Sequence, residues 1–192
     1  MRSLFALAAL AAAASASSAD LIPVQSYEYT AYAPYGYLDS GNELTDGVWS
    51  TTGINPVEPW VGFSSAHTMI TFDLGAGAPA VAGSSIVYCL WTGAAVYLPE
   101  SVRFRFSNDA SFAAYTEETY LSPFNGQPGA ATVTIDYNFS AAASTRYVRV
   151  LADSQFEWLF LGEVQFHGVP TPGSAALAAV AVAIGLRRRK RA

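Results

Sequence analysis

Aromatic side chains are the residues of this sequence best suited to bind another molecule. Tyrosines crowd the stretch from residue 27 to residue 37, and tryptophans stand near predicted loops or strand ends. An aromatic ring stacks on the apolar face of a sugar, and a tyrosine hydroxyl adds a hydrogen bond. The candidates for ligand contact are therefore Tyr35, Trp49 and Trp60. The alternative is that these rings fill the core and the open ends of the domain.

Two arginines on a predicted strand offer a second kind of contact. Arg103 and Arg105 alternate with apolar residues, so both guanidinium groups should point away from the core. Paired guanidinium groups bind carboxylates and acidic sugars. The alternative is that the pair only keeps one face of the strand in water, or meets acidic side chains nearby.

No set of residues in the sequence is suited to catalysis. It shows no nucleophile elbow, phosphate-binding loop or His-rich metal motif, and His67 and His167 stand far apart. Glu117 and Glu118 are adjacent, so on a strand they face opposite sides and cannot flank one scissile bond. We therefore expect a protein that is not an enzyme.

Charge is divided unevenly along the chain. Residues 20–168 contain four arginines and all fifteen carboxylates, which gives this segment a formal charge of −11. A phosphate backbone would be repelled, so nucleic acid is not an expected partner, whereas divalent cations and neutral ligands are compatible with the charge. Cys89 is the only cysteine. It cannot form an internal disulfide, and we expect it to be a small buried hydrophobic residue.

The N-terminal residues have the pattern of a secretory signal peptide. Arg2 provides a positive charge, Leu4 to Ala14 form an apolar run, and Ser17, Ser18 and Ala19 are small residues before a cut at Asp20. We predict a signal peptide over residues 1–19 and therefore an exported protein. A genuine N-terminal helix is the alternative.

The C-terminal residues combine a backbone break, an apolar run and a cluster of cations. Pro170 and Pro172 cannot continue a strand or sit inside a helix. The uncharged run that follows predicts a helix of about 20 Å, short of the ~30 Å hydrocarbon core of a bilayer. It ends at the cations Arg187, Arg188, Arg189, Lys190 and Arg191. This pattern indicates transient anchoring in the inner membrane with the cations on the cytoplasmic side. A buried helix with a solvated basic end is the alternative.

This stretch resembles the PEP-CTERM sorting tail of Gram-negative-type bacteria. The features that match, in order, are the Pro-x-Pro motif within Val169-Pro170-Thr171-Pro172, the apolar helix and the terminal Arg cluster. Thr171 stands where that signature usually has Glu. The resemblance implies a tail over residues 169–192, an exosortase-type sorting protease as partner, and delivery to the cell surface or extracellular matrix.

Between the two signals, residues 20–168 have the pattern of one all-β domain. Aromatic and β-branched residues dominate, and no long segment repeats with the period of a helix. Strict alternation predicts half-buried antiparallel strands at Val102–Phe106 and Thr132–Phe139. The other predicted strands are Trp60–Phe63, Met69–Leu74, Ser85–Leu90, Arg146–Leu151 and Trp158–Phe166. Many short strands separated by polar turns favour a β-sandwich or jelly roll.

Five short segments of this domain, in order, resemble the discoidin-like domain, the coagulation-factor type C or galactose-binding-like jelly roll. They are Leu44–Gly47, Ile70–Gly75, Pro99–Val102 with Ser107–Asp109, Arg146–Val150 and Leu161–Val164. The resemblance implies an antiparallel sandwich of about eight strands that binds sugars, lipids or proteins through loops at one end. We expect a binding module for extracellular polysaccharide. The alternative is a structural matrix protein without a small-molecule ligand.

The same resemblance implies a structural calcium between the early loop and the last strand. Asp46 and Glu163 would supply carboxylate oxygens, and a hydroxyl near Thr51 or Thr52 would complete the shell. The backbone carbonyls would come from Glu43, Val48 and Gly162. Calcium takes six to eight oxygen ligands, which a loop of this type can supply. The alternative is that Asp46 only caps an Asp-Gly turn and that Glu163 is an exposed strand carboxylate.

Overall fold

The strands of the domain are antiparallel throughout. The computed structural model describes residues 20–49, 60–64, 67–122, 129–154 and 158–169. These residues form one short 3-10 turn, Thr92–Ala94, and ten β-strands: β1 (Leu21–Ile22), β2 (Ser26–Ala31), β3 (Val61–Phe63), β4 (His67–Asp73), β5 (Val81–Trp91), β6 (Ser101–Ser107), β7 (Thr116–Leu121), β8 (Ala130–Ala143), β9 (Tyr147–Asp153) and β10 (Leu159–Gly168).

The strands divide into two five-stranded sheets. Sheet A has the order β1-β10-β5-β8, with β3 also paired to β10, and sheet B has the order β2-β4-β9-β6-β7. The predicted all-β sandwich is confirmed, although with ten strands rather than about eight. The additional strands include the two-residue β1 and the polar edge strands β2 and β7, which the alternation pattern did not reveal. The predicted signal peptide, apolar C-terminal helix and sorting residues from Pro170 onward lie outside the described residues.

Alternation along the strands places the core between the two sheets. On β6, Val102, Phe104 and Phe106 are at most 5% exposed, whereas the arginines between them lie on the outer face of sheet B. On β9, Val148 and Val150 are buried in the same core, as the sequence predicted. The inward residues of β8, from Val133 to Phe139, complete the opposite wall. The two strongest alternating segments therefore face each other across the sandwich.

A β-bulge in β10 changes which residues face the core. The pairing of β10 with β5 shifts register between Leu161 and Glu163, so Gly162 is the extra residue. Leu161 and Val164 both belong to the inter-sheet core, and Glu163 pairs instead with Val87 on the outer face of sheet A. A second apolar cluster covers this outer face and comprises Trp60, Val87, Cys89, Val96 and Phe160. Cys89 is fully buried there, as expected for a small hydrophobic residue.

The described part of the long connection between β2 and β3, residues 32–49, covers one edge of the sandwich. Leu44 is fully buried in the inter-sheet core. Its carbonyl accepts a hydrogen bond from the N–H of Val164 at 2.7 Å, in the part of β10 that lies between its pairings with β1 and β3. A connection that inserts a side chain into the core is an integral part of the fold. It also brings the loop that contains Asp46 against β10.

The antiparallel strands give the domain two ends. Residues 20 and 168 lie together at one end, where Gly168 N–H donates to the Asp20 carbonyl at 2.7 Å. We call this the proximal end. Strands β2, β3, β5, β7 and β9 run to the opposite, distal end, where the connections 64–66, 92–100, 122–129 and 154–158 join them and where the connection 32–60 begins before it returns along the sheet edge to β3. Among the described residues no helix has the length and apolar character to cross a membrane.

Candidate functional site

A pair of neighbouring aromatic rings, one exposed and one partly buried, lies at the distal end. Tyr35, in the β2–β3 connection, is 66% exposed. Its ring centroid lies 6.4 Å from that of Trp158, just before β10, and the two planes are inclined by 31°. Trp158 in turn packs on Phe160, at 5.7 Å between centroids. Two neighbouring rings of this kind form a platform on which the apolar face of a sugar can stack.

Backbone hydrogen bonds from β3 hold the platform in place. Tyr35 N–H donates to the Gly62 carbonyl at 2.8 Å, and Gly62 N–H donates to the Tyr37 carbonyl at 2.9 Å. A Cβ atom at position 62 would lie only 2.9 Å from the Phe160 ring and 3.0 Å from Tyr37. Glycine is therefore needed for the loop to lie this close to the strand. The Tyr37 ring packs edge-on against the Phe160 ring, with 4.7 Å between the ring centroids, and this contact also holds the loop against sheet A.

A polar network lies at the same end, on the outer face of sheet B. Asp153 at the end of β9 accepts a hydrogen bond from Arg103 Nη2 at 2.8 Å, and His67 Nδ1 lies 2.7 Å from its other oxygen. Although partial burial opposes it, the contacts with His67 and Arg103 hold the pKa of the Asp153 carboxyl below its usual range. The carboxylate is thus charged at neutral pH and orients both partners.

Tyr32 extends this network towards the solvent. Its ring lies 5.7 Å from the His67 ring, and it is 53% exposed. Its backbone φ of 60° is in the left-handed region, which is uncommon for a tyrosine. The surrounding loop and the bulge between Tyr29 and Ala31 hold it there. The result is an exposed aromatic ring beside an imidazole, a carboxylate and a guanidinium group.

The predicted ligand residues have different surroundings in the structure. Tyr35 is exposed on the platform and Trp49 is 39% exposed in the β2–β3 connection, but Trp60 is only 3% exposed. Trp60 belongs to the cluster on the outer face of sheet A, so its ring faces are covered, as the alternative interpretation has it. Arg103 meets Asp153, and Arg105 Nε donates to Glu117 at 2.6 Å. Both arginines lie on the outer face, as predicted, and both meet acidic neighbours.

Glu163 is the one buried carboxylate of the predicted calcium set. It is 2% exposed, so the interpretation of Glu163 as an exposed strand carboxylate is wrong: the bulge at Gly162 turns it outward, and the β2–β3 connection covers it. From the part of the chain that the structure describes it accepts two long hydrogen bonds, from Gly47 N–H and from Gln165 Nε2, both at 3.3 Å. Burial, opposed by these bonds and reinforced by the nearby Asp46 charge, raises the pKa of Glu163 to about 7.

The rest of the predicted calcium set lies in the loop above Glu163. Asp46 Oδ1 accepts the N–H of Val48 at 2.7 Å, so Asp46 does cap the Asp-Gly turn, and Gly47 adopts the left-handed φ of 80° that the turn needs. The Glu43 side chain accepts hydrogen bonds from the N–H groups of Ser40 and Gly41. Its carboxylate is thus used within the loop, as expected if only its carbonyl were available to an ion. Thr51 and Thr52 lie outside the described residues.

Three residues of the distal site were not identified from the sequence. The sequence predicted Trp158 only as the first residue of a strand, placed His67 far from the other histidine, and assigned Asp153 to no strand. Their common signal is position, since each stands where a strand begins or ends at the distal end. The pairing of β4 with β9, which joins His67 to Asp153 across 86 residues, could not be deduced from spacing.

A cavity of about 730 Å³ lies away from the distal end, between β7 and the last residues of β8. Its wall includes Tyr115, Glu117 and Glu118 on one side and Ser140 on the other. The Glu118 carboxylate accepts hydrogen bonds from both the N–H and the hydroxyl of Ser140, and Glu117 meets Arg105. These polar groups already have hydrogen-bond or ion-pair partners within the protein. We therefore interpret this cavity as a gap between two edge strands.

Solved structures with the same arrangement of strands are carbohydrate-binding domains. The CBM32 domain of AlyQ, in complex with 4,5-unsaturated mannuronic acid, is 22% identical with a TM-score of 0.51, over 78% of this chain and 99% of that one. A mutant of the lectin-binding domain of lectinolysin, complexed with Lewis b, is 15% identical with a TM-score of 0.53, over 77% and 94%. The chain has this fold. At such identity the likeness extends to the fold alone, which confirms the predicted discoidin-like jelly roll.

A longer structure also matches over most of this chain. Truncated AlyQ, with CBM32 and alginate lyase domains, is 21% identical with a TM-score of 0.52, over 81% of this chain and 35% of that one. No model of a protein family matches the chain, and no curated protein does either.

Proposed function

We propose that the protein is a non-enzymatic binding module that recognises extracellular carbohydrate through its distal end. The observation that carries this proposal is the platform of the exposed Tyr35 and the partly buried Trp158, with the Tyr35 loop held against β3 by the backbone bonds of Gly62. At the same end of the sandwich, on the outer face of sheet B, lie a carboxylate, a guanidinium group and an imidazole. Aromatic faces with a few convergent polar groups are what a sugar requires.

The fold supports the same proposal. The domains of AlyQ and lectinolysin that share it were solved with a sugar acid and with Lewis b, respectively. Discoidin-like domains, which the sequence resembles, bind their ligands through loops at one end of the sandwich. The longest connection of this domain, residues 32–60, starts at the distal end and contains its two most exposed tyrosines, Tyr32 and Tyr35.

Glycan binding by three variants tests the proposal. The purified protein is screened against a glycan array, and the best ligand is then titrated against Tyr35→Ala and Trp158→Ala. Each is expected to weaken binding by about tenfold or more, since stacking on one ring contributes ~1–2 kcal/mol. Tyr115→Ala is the matched control, because Tyr115 is 46% exposed but lies in the β6–β7 connection at the proximal end. Binding of no glycan at all would favour the structural matrix protein instead.

We also propose that a structural calcium lies between Asp46 and Glu163. Glu163 is a buried carboxylate with a pKa raised to about 7, and among the described residues its hydrogen bonds are long. Asp46 is close enough to raise that pKa further, so a cation would stabilise both charges at once. These residues fit a hard cation. It would pin the early loop to the last strand and would not catalyse.

Chelation tests the calcium proposal. An ion that binds only the folded state raises its stability by mass action, so a chelator should lower the melting temperature and added calcium should restore it. Asp46→Ala is expected to abolish this response. A melting curve indifferent to both treatments would leave Asp46 as a residue that caps a turn.

The signals at the two ends imply where this module works. We propose that the protein is exported, is held briefly at the inner membrane by the apolar run before Arg187, and is released to the cell surface or matrix by an exosortase-type protease. The support for this proposal is the order of the Pro-x-Pro motif, the apolar run and the Arg cluster in the sequence. Carbohydrate outside the cell would then be the accessible ligand.

A further inference from the structure

The distal half of β8 is an edge strand that lacks the usual protection. β8 is the last strand of sheet A, and among the described residues it pairs as a strand with β5 alone. Residues 130–135, Ala-Ala-Thr-Val-Thr-Ile, contain no charge and no proline, and their pairing with β5 has no register shift. Charges, prolines and bulges are the features by which proteins keep an exposed edge from pairing with another strand.

The other sheet edges that the structure describes do have such features. β1 and β3 are only two and three residues long. β2 contains Glu28 and a bulge between Tyr29 and Ala31, and β7 contains Glu117 and Glu118. Short length, bulges and charged side chains all discourage pairing with a further strand. The contrast marks the distal half of β8 as a surface suited to pairing.

The direction of the backbone defines which groups of β8 are open. In an antiparallel strand, alternate residues direct both backbone groups to the same side. The Asn138 carbonyl accepts a hydrogen bond from the Tyr120 hydroxyl at 2.6 Å, on the side away from β5. Thr132, Thr134 and Asp136 share this direction, because no register shift separates them from Asn138. β7 therefore covers the edge at Asn138, whereas the described strands offer no partner to the backbone of the other three.

The side chains of this edge are self-complementary when two copies meet in antiparallel orientation. A two-fold axis at Thr134 places this residue opposite its own copy, and threonine pairs hydrogen-bond across strands. The same axis places Val133 opposite Ile135 on the core side, where both are only partly buried in a single copy. It also places Thr132 opposite Asp136, so the one charge of the segment meets a hydroxyl and not a second carboxylate.

Thr132 provides a separate observation in favour of this register. Its Oγ1 is buried and has no hydrogen-bond partner among the described residues. Asp136 of a second copy would bring a carboxylate to the opposite position, where cross-strand side chains are ~5 Å apart between Cβ atoms. Thr132 would then have an acceptor for its hydroxyl, which a single copy does not supply from its described residues.

We propose that residues 132–136 of β8 pair with the same residues of a second copy of this chain, in a weak two-fold dimer. A second copy fits because each side chain of the segment meets a favourable counterpart within its own sequence. About six backbone hydrogen bonds join the two strands, and sheet A becomes continuous across the dimer. The dimer is weak because the segment is short and because each domain is strongly acidic.

Sedimentation velocity of the purified protein over a range of concentrations tests the dimer. We expect a reversible monomer–dimer equilibrium with half of the chains associated at roughly 10–100 μM, as is typical of a small interface. Raising the salt concentration from about 0.05 M to about 0.5 M should tighten the dimer, since salt screens the repulsion between two acidic domains. A protein that stays monomeric up to about 1 mM at the higher salt overturns the proposal. Association that continues beyond the dimer overturns it as well.

Two substitutions of Thr134 test the surface. Thr134→Pro removes an N–H group that points away from β5, so it should block the dimer and leave the pairing with β5 intact. Thr134→Glu keeps the backbone and places two like charges at the axis. Each is expected to raise the dissociation constant about tenfold or more. Thr119→Glu is the matched control, because it adds the same charge at an exposed threonine of β7, opposite Arg103, and should leave the constant unchanged. Melting curves establish that each variant is folded.

A cysteine substitution tests the register. Thr134→Cys places two thiols opposite each other at the axis, so mild oxidation should produce a covalent dimer. Thr119→Cys should remain uncrosslinked under the same conditions, and the native Cys89 is buried. Equal crosslinking of the two variants would contradict the register. A dimer that persists unchanged in Thr134→Glu would mean that the copies meet elsewhere, and the proposal would be overturned even if Thr134→Pro failed to fold.

Discussion

At the scale of single residues, the burial of Glu163 predicts a pH dependence of stability that can be measured directly. Its pKa is raised to about 7 in the folded protein, against about 4.5 in an unfolded chain, so the folded state holds a proton that the unfolded state loses. Without a cation, this group therefore favours folding below about pH 4.5, and the contribution is lost as the pH rises to 7. The difference amounts to on the order of 3 kcal/mol.

We expect Glu163→Gln to remove this pH dependence. In the presence of a chelator, the wild-type melting temperature should fall relative to that of Glu163→Gln as the pH is raised from about 4.5 to about 7, since only the wild type must then bury a charge. Added calcium should reverse the fall in the wild type alone. Parallel curves for the two proteins over this range would show that Glu163 is not buried as described.

The residues of the site were predictable from the sequence only in part. Tyr35 could be named, because an exposed ring in a tyrosine-rich loop is a reasonable ligand contact. Its partner Trp158 could not, because the parallel bridge that brings Trp158 beside Val96 depends on tertiary structure. Glu163 was predicted from a family resemblance, but its burial depends on one extra residue at Gly162, which no alternation pattern reveals.

At the scale of strands, β9 tests whether the alternation of its residues correctly predicts which side chains face the core and which face outward. Val148 is fully buried, whereas Arg149 points to the outer face. Val148→Asp would place an unpaired charge between the sheets, which costs several kcal/mol out of a total of typically ~5–15, so we expect it not to fold. Circular dichroism and thermal melts provide the measurement.

Arg149→Ala is the companion variant on the same strand. It should fold, with a loss of about 1 kcal/mol, because the Phe112 ring and the Thr71 hydroxyl lose their contacts with the guanidinium group. A parent-like melt for Val148→Asp together with an unfolded Arg149→Ala would mean that the faces are reversed.

The edge of sheet A offers a second test at this scale. Tyr120 hydroxyl donates to the Asn138 carbonyl, and Glu118 accepts the Ser140 N–H, so side chains of β7 occupy backbone groups on the free edge of β8. Glu118→Ala should expose this edge, lower stability by about 1–2 kcal/mol and increase aggregation in light-scattering assays. Glu117→Ala is the control, since Glu117 points to Arg105 on the other face and contributes about 0–1 kcal/mol. Equal aggregation of both variants would contradict the role of Glu118.

The strands themselves were predictable to different degrees, and burial explains why. β6, β8 and β9 alternate because one face of each meets the core and the other meets solvent or polar groups. β2 and β7 lie at the edges of sheet B and read as polar segments, SYEYTA and TEETYL, so no hydrophobic period marks them. Segments of this kind become strands because a neighbouring strand offers a ladder of backbone hydrogen bonds.

At the scale of the whole molecule, the prediction concerns processing. Native protein from the producing cell is expected to begin near Asp20 and to lack residues Arg187 to Arg191. Its formal charge would then be more negative than the −5 of the full chain, because the lost segments contain most of the cations and no carboxylates. Intact-mass spectrometry measures both ends at once. Retention of the Arg cluster in the mature protein would contradict removal of the tail.

The position of β10 in sheet A has a consequence for how the chain reaches its folded state. β10 is the last strand of the described residues, yet it pairs with β1, β3 and β5 and anchors Leu44 through Val164, across 120 residues of sequence. Contacts between residues so far apart in sequence form late in folding. The chain must first lose the entropy of closing the loop, before it gains the stabilising contact. A chain that ends before Leu159 should therefore exchange its amide hydrogens like an unfolded polypeptide. An emerging chain would accordingly stay open until its last strand is free, the state that a translocation channel for unfolded polypeptides can accept.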